Sequence, residues 1–383
     1  MKVTAEIVII WEKADGGAKV CFMSAAVGTE ICMFEISKDF TGGNIEVISQ
    51  SENEALLRKE LRGTGEEWFY WAFCVRGAQG RTVKFDISDP YVGPFGPAVS
   101  HDGRCWKWLG QRDSKHGFTY TFSEDESCVF FAHSMLYHPD RFYDFCAEKN
   151  IDVKTIDGHI PYVTFGEGEK YIFLTARHHA CESAGSYVLE GVIDELLKNP
   201  IDGLKVICVP FVDFDGVCRG EQGKFRQPHD HNQDYDEEKE PLYESVRFIR
   251  DFAKTHQVLY AFDFHAPYHT GEINDDVFIV YKLYNQAEAI SRFSDLFEKE
   301  SEKNPFRYYA KNNVLPGVGW NNPNAKTFAV YIGHLPPAIL SFTLETAYFG
   351  REGNVFGDSE AVGLGKNFAG ALKKFHENEV LKR

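Results

Sequence analysis

Apolar and polar residues alternate with a period of two through the first third of the chain. Runs rich in β-branched and aromatic residues, such as AEIVIIWE, KVCFMSA, EICMFEIS, EWFYWAFCVRG and TVKFDIS, are separated by turn sequences such as KADGGAK and TGGN. No stretch between them has the period of a long amphipathic helix. Short strands joined by such turns are typical of an antiparallel β-sandwich. We therefore predict a β-sandwich domain over residues 1–135.

The pattern changes near residue 136, where the first helical period begins. Beyond this point the near-continuous apolar runs YIFLTA, KVICVPFV, LYAFDFH and AILSFTLE alternate with amphipathic stretches. The predicted helices cover Pro139–Lys149, Ser183–Lys198, Leu242–His256, a stretch through Ala287 and Phe297, and Glu360–Val380. Apolar strands that alternate with helices indicate an α/β fold with a mixed, largely parallel sheet. We predict that this second domain covers residues 136–383.

Composition limits the classes of partner. The 383 residues are 43% hydrophobic and 15% aromatic, which is enough for two cores, and the formal net charge is -16. Because an acidic surface repels phosphate backbones and anionic lipids, we expect neither nucleic acid nor a membrane as partner. The nine cysteines form an odd set without a CxxC pair. This favours free thiols in a reducing compartment, and we expect a cytoplasmic protein.

Chemically versatile residues follow the apolar runs of the second domain. His179 and Glu182 come after YIFLTA, His265 ends LYAFDFH, and Glu345 lies at the end of AILSFTLE. Sites in open α/β sheets form outside the carboxyl ends of strands. Two imidazoles and one carboxylate are a frequent catalytic zinc set, and a further carboxylate can move the proton of a bound water. One such residue is more often an ordinary packed side chain, but all four at strand ends favour a metal site.

The motifs around these residues resemble those of the zinc carboxypeptidases. The segments that carry the resemblance are TARHHACES, VPFVDFDGVCRG, KFRQPHDHNQDY, AFDFHAP and SFTLETAY. They are most similar to the cytosolic carboxypeptidase branch and its bacterial relatives. In addition, EEWFYWAFCVRGAQGRTVKFDI and GPFGPAVSHDGRCWKWLG are similar to the β-sandwich that precedes the catalytic domain in that branch. The resemblance covers nearly the whole chain and implies an α/β carboxypeptidase-like domain after a β-sandwich.

The resemblance also implies roles for individual residues. By position, His179, Glu182 and His265 would hold one Zn2+ per chain, and Glu345 would be the general base and acid. His178 has no place in the pattern, so we interpret it as a neighbour without a ligand role.

The long loop after KVICVPFV supplies the implied substrate contacts. Arg226 would stabilise the oxyanion, Asp230 would fix the first ligand histidine, and Asn232 would hold the substrate's terminal carboxylate. The family pattern has an arginine after this asparagine, but this chain has Gln233. A neutral amide cannot form the charge-assisted pair of hydrogen bonds that arginine makes with a carboxylate. The sequence leaves open which other cation takes this role, and the candidates are His229, His231, Lys224 and Arg219.

Three functions follow from these patterns. The first is a zinc metallocarboxypeptidase that removes C-terminal residues from peptides or protein tails. The second, prompted by Gln233, is a zinc amidohydrolase that acts on an acylated amino acid or a modified peptide. The third is a binding module with a relic site, although a degenerate member would be expected to lose one of the ligands or Glu345 first. Metal content separates the third from the others, and the sequence leaves the oligomeric state open.

Overall fold

A computed structural model describes residues 7–14, 17–24, 34–66, 68–88 and 92–380, the first two ranges by their backbone only. The first residues of the predicted strands AEIVIIWE and EICMFEIS lie outside these ranges. Within them, no helix is both long enough and apolar enough to cross a membrane.

The first third of the chain is built from β-strands. A hairpin of β1 (Ile7–Ala14) and β2 (Gly17–Ser24) precedes a five-stranded sheet, in the order β3-β6-β11-β8-β9, and a four-stranded sheet, in the order β10-β7-β5-β4. These strands are β3 (Glu35–Ser37), β4 (Glu46–Gln50), β5 (Glu54–Arg58), β6 (Ala72–Arg76), β7 (Thr82–Ile87), β8 (Ala98–Ser100), β9 (Lys107–Trp108), β10 (Gly117–Thr121) and β11 (Cys128–Ala132). All neighbours in both sheets are antiparallel except β5 and β7, which are parallel.

Aromatic side chains fill the space between these two sheets. Phe85 of β7 contacts Phe73 and Phe131 of the facing sheet with ring centroids 5.5 Å apart in both pairs. Buried rings of this size dominate the energetics of a core. The predicted β-sandwich is therefore confirmed.

A seven-stranded mixed sheet forms the centre of the second part, in the order β12-β13-β15-β14-β16-β18-β17. Its strands are β12 (Val153–Ile156), β13 (Ile160–Gly166), β14 (Lys170–Ala176), β15 (Leu204–Val209), β16 (Gln257–His265), β17 (Val277–Val280) and β18 (Leu340–Thr346). The central strands β15, β14, β16 and β18 are mutually parallel, and the outer pairs are antiparallel. A short hairpin of β19 (Gly350–Arg351) and β20 (Asn354–Val355) follows β18.

Helices cover both faces of this sheet. They are α1 (Pro139–Lys149), α2 (Ser183–Lys198), α3 (Phe214–Arg219), α4 (Glu244–Thr255), α5 (Ala287–Glu300), α6 (Phe328–His334) and α7 (Asp358–Val380). Buried residues of α1, α2, α5 and α7 belong to one core, and buried residues of α4 and α6 belong to the core on the opposite face. This arrangement confirms the predicted α/β class.

The two parts of the chain share buried surface. Phe69 and Trp106, which precede residue 135, belong to the same buried cluster as the α2, α5 and α7 side chains. Phe69 contacts Tyr348 with ring centroids 5.3 Å apart. The division into domains at residue 135 stays a prediction.

Two glycines let α2 and α7 approach closely. A Cβ atom at Gly191 of α2 would lie 1.9 Å from the carbonyl oxygen of Val362. A Cβ atom at Gly365 of α7 would lie 1.9 Å from the carbonyl oxygen of Val188. Both clashes involve backbone atoms, so neither helix can relieve them by turning a side chain.

We expect Gly191→Ala to lower the free energy of unfolding by about 1–3 kcal/mol, the usual cost of overpacking a core. The matched control is Gly370→Ala on α7, where the new Cβ would meet only the end of the Glu300 side chain, at 3.3 Å. Because alanine favours a helix over glycine, the control should be neutral or stabilising by up to about 1 kcal/mol. Urea denaturation of both variants measures this, and equal stabilities would contradict the packing argument.

Candidate metal centre

A backbone turn at Arg177 delivers the first candidate ligand. β14 ends at Ala176, and Arg177 then takes a left-handed conformation with a φ of 59°. Its buried guanidinium donates from Nε to the Ala180 carbonyl oxygen at 2.9 Å and from Nη1 to the Tyr137 carbonyl oxygen at 3.0 Å. Residues other than glycine rarely adopt this conformation, so these hydrogen bonds must offset its cost. The turn brings His179 to the carboxyl edge of the sheet.

The three predicted ligands meet at this edge. Nδ1 of His179 lies 2.8 Å from Oε1 of Glu182, and Nδ1 of His265 lies 2.7 Å from Oε2 of the same carboxylate. One donor atom from each residue falls within 4.8 Å of the others, and all three side chains are buried. Two imidazoles thus converge on a single carboxylate.

Each imidazole contacts a further carboxylate through its Nε2 atom. Nε2 of His179 lies 3.6 Å from Oδ2 of Asp230, and Nε2 of His265 lies 2.6 Å from Oδ2 of Asp263. Carboxylates in this position orient ligand histidines and raise their basicity. Asp230 was expected near His179, but Asp263 was not predicted. A signal for it exists, because Asp263 precedes His265 by two residues on one strand and so shares its face.

His178 belongs to a hydrogen-bond chain behind His265. Its Nδ1 lies 2.8 Å from Oδ1 of Asp263, and its Nε2 lies 2.7 Å from the hydroxyl oxygen of Tyr235. His178, Asp263 and His265 are a second group close enough to hold a metal. Nε2 of His178, however, is hydrogen-bonded to the Tyr235 hydroxyl, which belongs to neither group. We therefore assign His178 to the support of Asp263.

Electrostatics keep the acidic members of the site ionised. Burial alone would raise the pKa of Glu182, but His179 and His265 lower it well below its ordinary value. Burial likewise opposes ionisation of Asp263, and the imidazoles of His178 and His265 lower its pKa. The pKa of His265 is raised well above normal, because the charges of Asp263 and Glu182 outweigh burial. A buried anion beside two nitrogen donors fits a divalent transition metal.

Glu345 lies next to the three candidate ligands. It is directly opposite His265 in the parallel register of β16 and β18, and its side chain is buried. Burial raises its pKa, and the charge of Glu182 adds to this, whereas His265 opposes it. Its Oε2 is buried without a hydrogen-bond partner among the described residues. Because an unsatisfied buried oxygen costs free energy, this atom is available to a water or a substrate proton.

Arg226 lies on the neighbouring loop but points its charge elsewhere. Nη1 donates to Glu221, and Nη2 donates to Asp213. Its Nε is buried without a hydrogen-bond partner in the described part of the chain. No contact between described residues joins this guanidinium to the three candidate ligands.

The predicted substrate contacts Asn232 and Gln233 lie on a short 3-10 turn, His231–Gln233. Asp230 precedes this turn, and its Oδ1 accepts a hydrogen bond from the backbone N–H of Asn232 at 3.0 Å. Asn232 is half-buried, and its Oδ1 has no hydrogen-bond partner among the described residues. Gln233 is exposed. The turn thus leaves the side-chain oxygen of Asn232 without a partner among the described residues. Gln233 supplies no charge at the position where the pattern has arginine.

The loop with Lys224 packs directly on the candidate ligands. Gly223 has a φ of +77°, and a Cβ atom there would lie 2.1 Å from the Ala180 amide nitrogen. This close approach places Nζ of Lys224 3.4 Å from Nδ1 of His179 and 5.8 Å from the ring centre of Trp68. The sequence indicated Lys224 only as one of several cations, and it gave no sign that Trp68 of the first part contacts it.

The fold is that of the metallo-carboxypeptidases. The crystal structure of a metallo-carboxypeptidase from Burkholderia cenocepacia superimposes with a TM-score of 0.74 and 18% identity. The match covers 90% of this chain and 100% of that one. At this identity the likeness establishes the fold alone. It confirms the predicted α/β architecture and the resemblance carried by the motifs.

Two curated relatives extend the comparison to sequence. Cytosolic carboxypeptidase 6 of Caenorhabditis elegans is 28% identical over 236 residues, which cover 50% of this chain and 51% of that protein. An uncharacterized protein of Zymomonas mobilis is 26% identical over 213 residues, which cover 49% of this chain and 55% of the relative. The chain therefore spans about half the length of the curated relatives it matches. No known protein-family profile matches the chain.

Replacing His265 with alanine tests the cluster as a metal site. His265→Ala removes one of two imidazole donors, so the purified protein should lose most of its zinc, measured by plasma mass spectrometry. The exposed His334, at the end of α6, provides the matched control His334→Ala, which should keep full zinc content. Circular dichroism should show both variants folded. Full occupancy in the His265 variant would refute the ligand assignment.

Asp263→Asn tests the support behind His265. The substitution keeps the shape but removes the charge that faces two imidazoles. Zinc affinity should fall about 10- to 100-fold, the usual effect of losing such a partner. Competition with a chelator measures the affinity, and Asp251→Asn on the exposed side of α4 is the control. An unchanged affinity would show that Asp263 acts only in folding.

Proposed function

We propose that the chain is a zinc-dependent metallocarboxypeptidase that removes C-terminal residues from peptides or protein tails. The observation that carries this proposal is the convergence of His179 and His265 on the Glu182 carboxylate, with Glu345 beside them. The metallo-carboxypeptidase fold and the cytosolic carboxypeptidase relative support the class of reaction. A cytoplasmic location, expected from the cysteines, belongs to the same proposal.

The metal would be held by His179, Glu182 and His265, since these residues present two nitrogens and an ionised carboxylate at one point. A bound zinc ion would polarise the scissile carbonyl and lower the pKa of a bound water. Asp230 and Asp263 keep the two imidazoles in orientation from behind.

Glu345 would move the proton during hydrolysis. Burial raises its pKa, which favours acceptance of a proton, and its Oε2 has no competing partner in the described structure. This oxygen would accept a proton from the attacking water and return it to the leaving amine nitrogen. The products are then a carboxylic acid and a free amine, so the atoms of water and amide are both accounted for.

A second candidate function has one observation in its favour. Gln233 is neutral and exposed at the position where the carboxypeptidase pattern has arginine. A zinc amidohydrolase that acts on an acylated amino acid or a modified peptide would not need that arginine. Comparing the hydrolysis of free peptides with that of C-terminally blocked peptides separates the two functions, because only the carboxypeptidase should require the free carboxylate.

Glu345→Gln tests the proton transfer. The amide keeps the size of the side chain but cannot accept the proton, so kcat should fall about 10²- to 10⁴-fold. Zinc content should stay at the wild-type level, because Glu345 is not a proposed ligand. The kcat is measured on C-terminal peptides alongside the metal analysis.

The matched control is Glu352→Gln, which changes an exposed glutamate on the β19–β20 hairpin and should leave kcat unaltered. A Glu345 variant with near-normal turnover would remove this residue from the mechanism. A variant that also loses zinc would instead indicate that the carboxylate helps to hold the metal.

A further inference from the structure

The loop that carries Lys224 is fixed to both parts of the chain. The carbonyl oxygen of Gln222 accepts from the Cys181 amide at 3.3 Å, beside the turn that bears His179. The side chain of the same glutamine donates from Nε2 to the Tyr70 carbonyl oxygen at 2.8 Å. The base of the Lys224 side chain follows two residues later and is therefore held against the candidate centre.

The ammonium of Lys224 contacts a candidate ligand directly. Its Nζ lies 3.4 Å from Nδ1 of His179, the same nitrogen that faces the Glu182 carboxylate. The ring centre of Trp68 lies 5.8 Å from Nζ, which is within the range of a cation–π contact. No carboxylate among the described residues lies within ion-pair distance of this half-buried nitrogen. Its charge is therefore open to an anion that arrives with the substrate.

The second cation of this loop is engaged differently. Arg226 is predicted to stabilise the oxyanion, but its Nη1 donates to Glu221 and its Nη2 donates to Asp213. Both ends of its guanidinium thus face carboxylates of the protein. Of these two cations, Lys224 is the one whose charged nitrogen contacts His179.

We propose that Lys224 stabilises the oxyanion that forms on the scissile carbonyl during hydrolysis. This inference rests on the proposed carboxypeptidase function. As the water oxygen bonds to the carbonyl carbon, the π electron pair of the C=O bond moves to the carbonyl oxygen, and Glu345 takes a proton from the water. The negative oxygen receives a charge-assisted hydrogen bond from the Lys224 ammonium. The C=O bond re-forms as the C–N bond breaks, and the proton passes to the leaving nitrogen.

The first experiment measures kcat and KM separately on the zinc-loaded protein, with peptides that end in Phe-Leu, Phe-Glu or Phe-Lys. Lys224→Met should lower kcat about 10²- to 10³-fold, the usual cost of losing one donor to an oxyanion. KM should stay nearly constant, because the hydrogen bond forms only as the charge develops. Lys224→Arg keeps a charged donor and should recover about tenfold or more of the lost kcat.

The matched control is Lys205→Met. Lys205 is also half-buried, and its Nζ lies 6.0 Å from the ring centre of Tyr171, but it is at the opposite end of the parallel strands. This control should leave kcat unaltered. Zinc content should stay at the wild-type level in every Lys224 variant, since removing an ammonium beside a ligand nitrogen removes a repulsion from the metal.

Equilibrium binding provides a readout that needs no turnover. Two inhibitors based on Phe-Leu replace the scissile amide, one by a phosphinate with a negative oxygen and one by a CH2–CH2 group without any oxygen. Both keep the terminal carboxylate. By titration calorimetry, Lys224→Met should weaken the phosphinate about 10²- to 10³-fold, because this compound imitates the charged transition state. The affinity for the CH2–CH2 compound should not change.

Several results would overturn the assignment. Equal weakening of both inhibitors, with a raised KM, would show that Lys224 binds the terminal carboxylate instead. Unchanged kcat and phosphinate affinity in the folded variant would return the oxyanion to Arg226, and loss of zinc would show that the lysine only builds the site. Lys224→Gln is the substitute if the methionine variant does not fold. A wild type that binds zinc but cleaves no peptide would refute the proposed function, and the inhibitor pair would still test Lys224 separately.

Discussion

The site depends on one buried carboxylate, that of Glu182. Removing such a charge from water costs several kcal/mol, and two imidazoles lie against its oxygens to offset that cost. The Ala266 amide also faces Oε2 at 3.3 Å, and Glu182 precedes the first residue of α2, where the helix dipole favours negative charge. Glu182 thereby connects the turn after β14, the start of α2 and the end of β16. If this carboxylate were displaced, three elements would lose a common anchor.

The sheets of the first third take part in this arrangement through one loop. Gln222 exchanges side-chain hydrogen bonds with the backbone of Tyr70, at 2.9 and 2.8 Å, and Asn44 donates to the Gly220 carbonyl oxygen at 2.6 Å. This loop continues to Lys224 and Arg226. The first part of the chain thus helps to hold the loop that carries those two cations.

Periodicity predicted the elements whose two faces differ strongly. Pro139–Lys149 and Ser183–Lys198 form helices with the expected bounds, because apolar residues recur in both with the period of a helix. β4 was not predicted, since nearly all of its side chains are exposed and it lacks an apolar face. Alternation also cannot reveal that β5 runs parallel to β7, because the side-chain period is the same for both directions. The predicted ligands met because parallel strands end at one edge, whereas the contacts of Lys224 with His179 and Trp68 depend on the path of a long loop that no local pattern encodes.

The protein as a whole is acidic, yet cations lie at the candidate site, and the two act on an anion at different distances. With a formal net charge of -16, the surface should repel an anionic peptide end at long range. Ionic screening reduces such repulsion beyond about 8 Å at physiological salt, so a carboxylate that enters the pocket interacts mainly with its immediate neighbours. There the half-buried Lys224 contributes to the electrostatic environment of Glu345, and partial burial strengthens the field of its ammonium. Selectivity for an anion would then come from a few half-buried charges, and the overall charge of the protein would affect the rate of encounter more than the affinity.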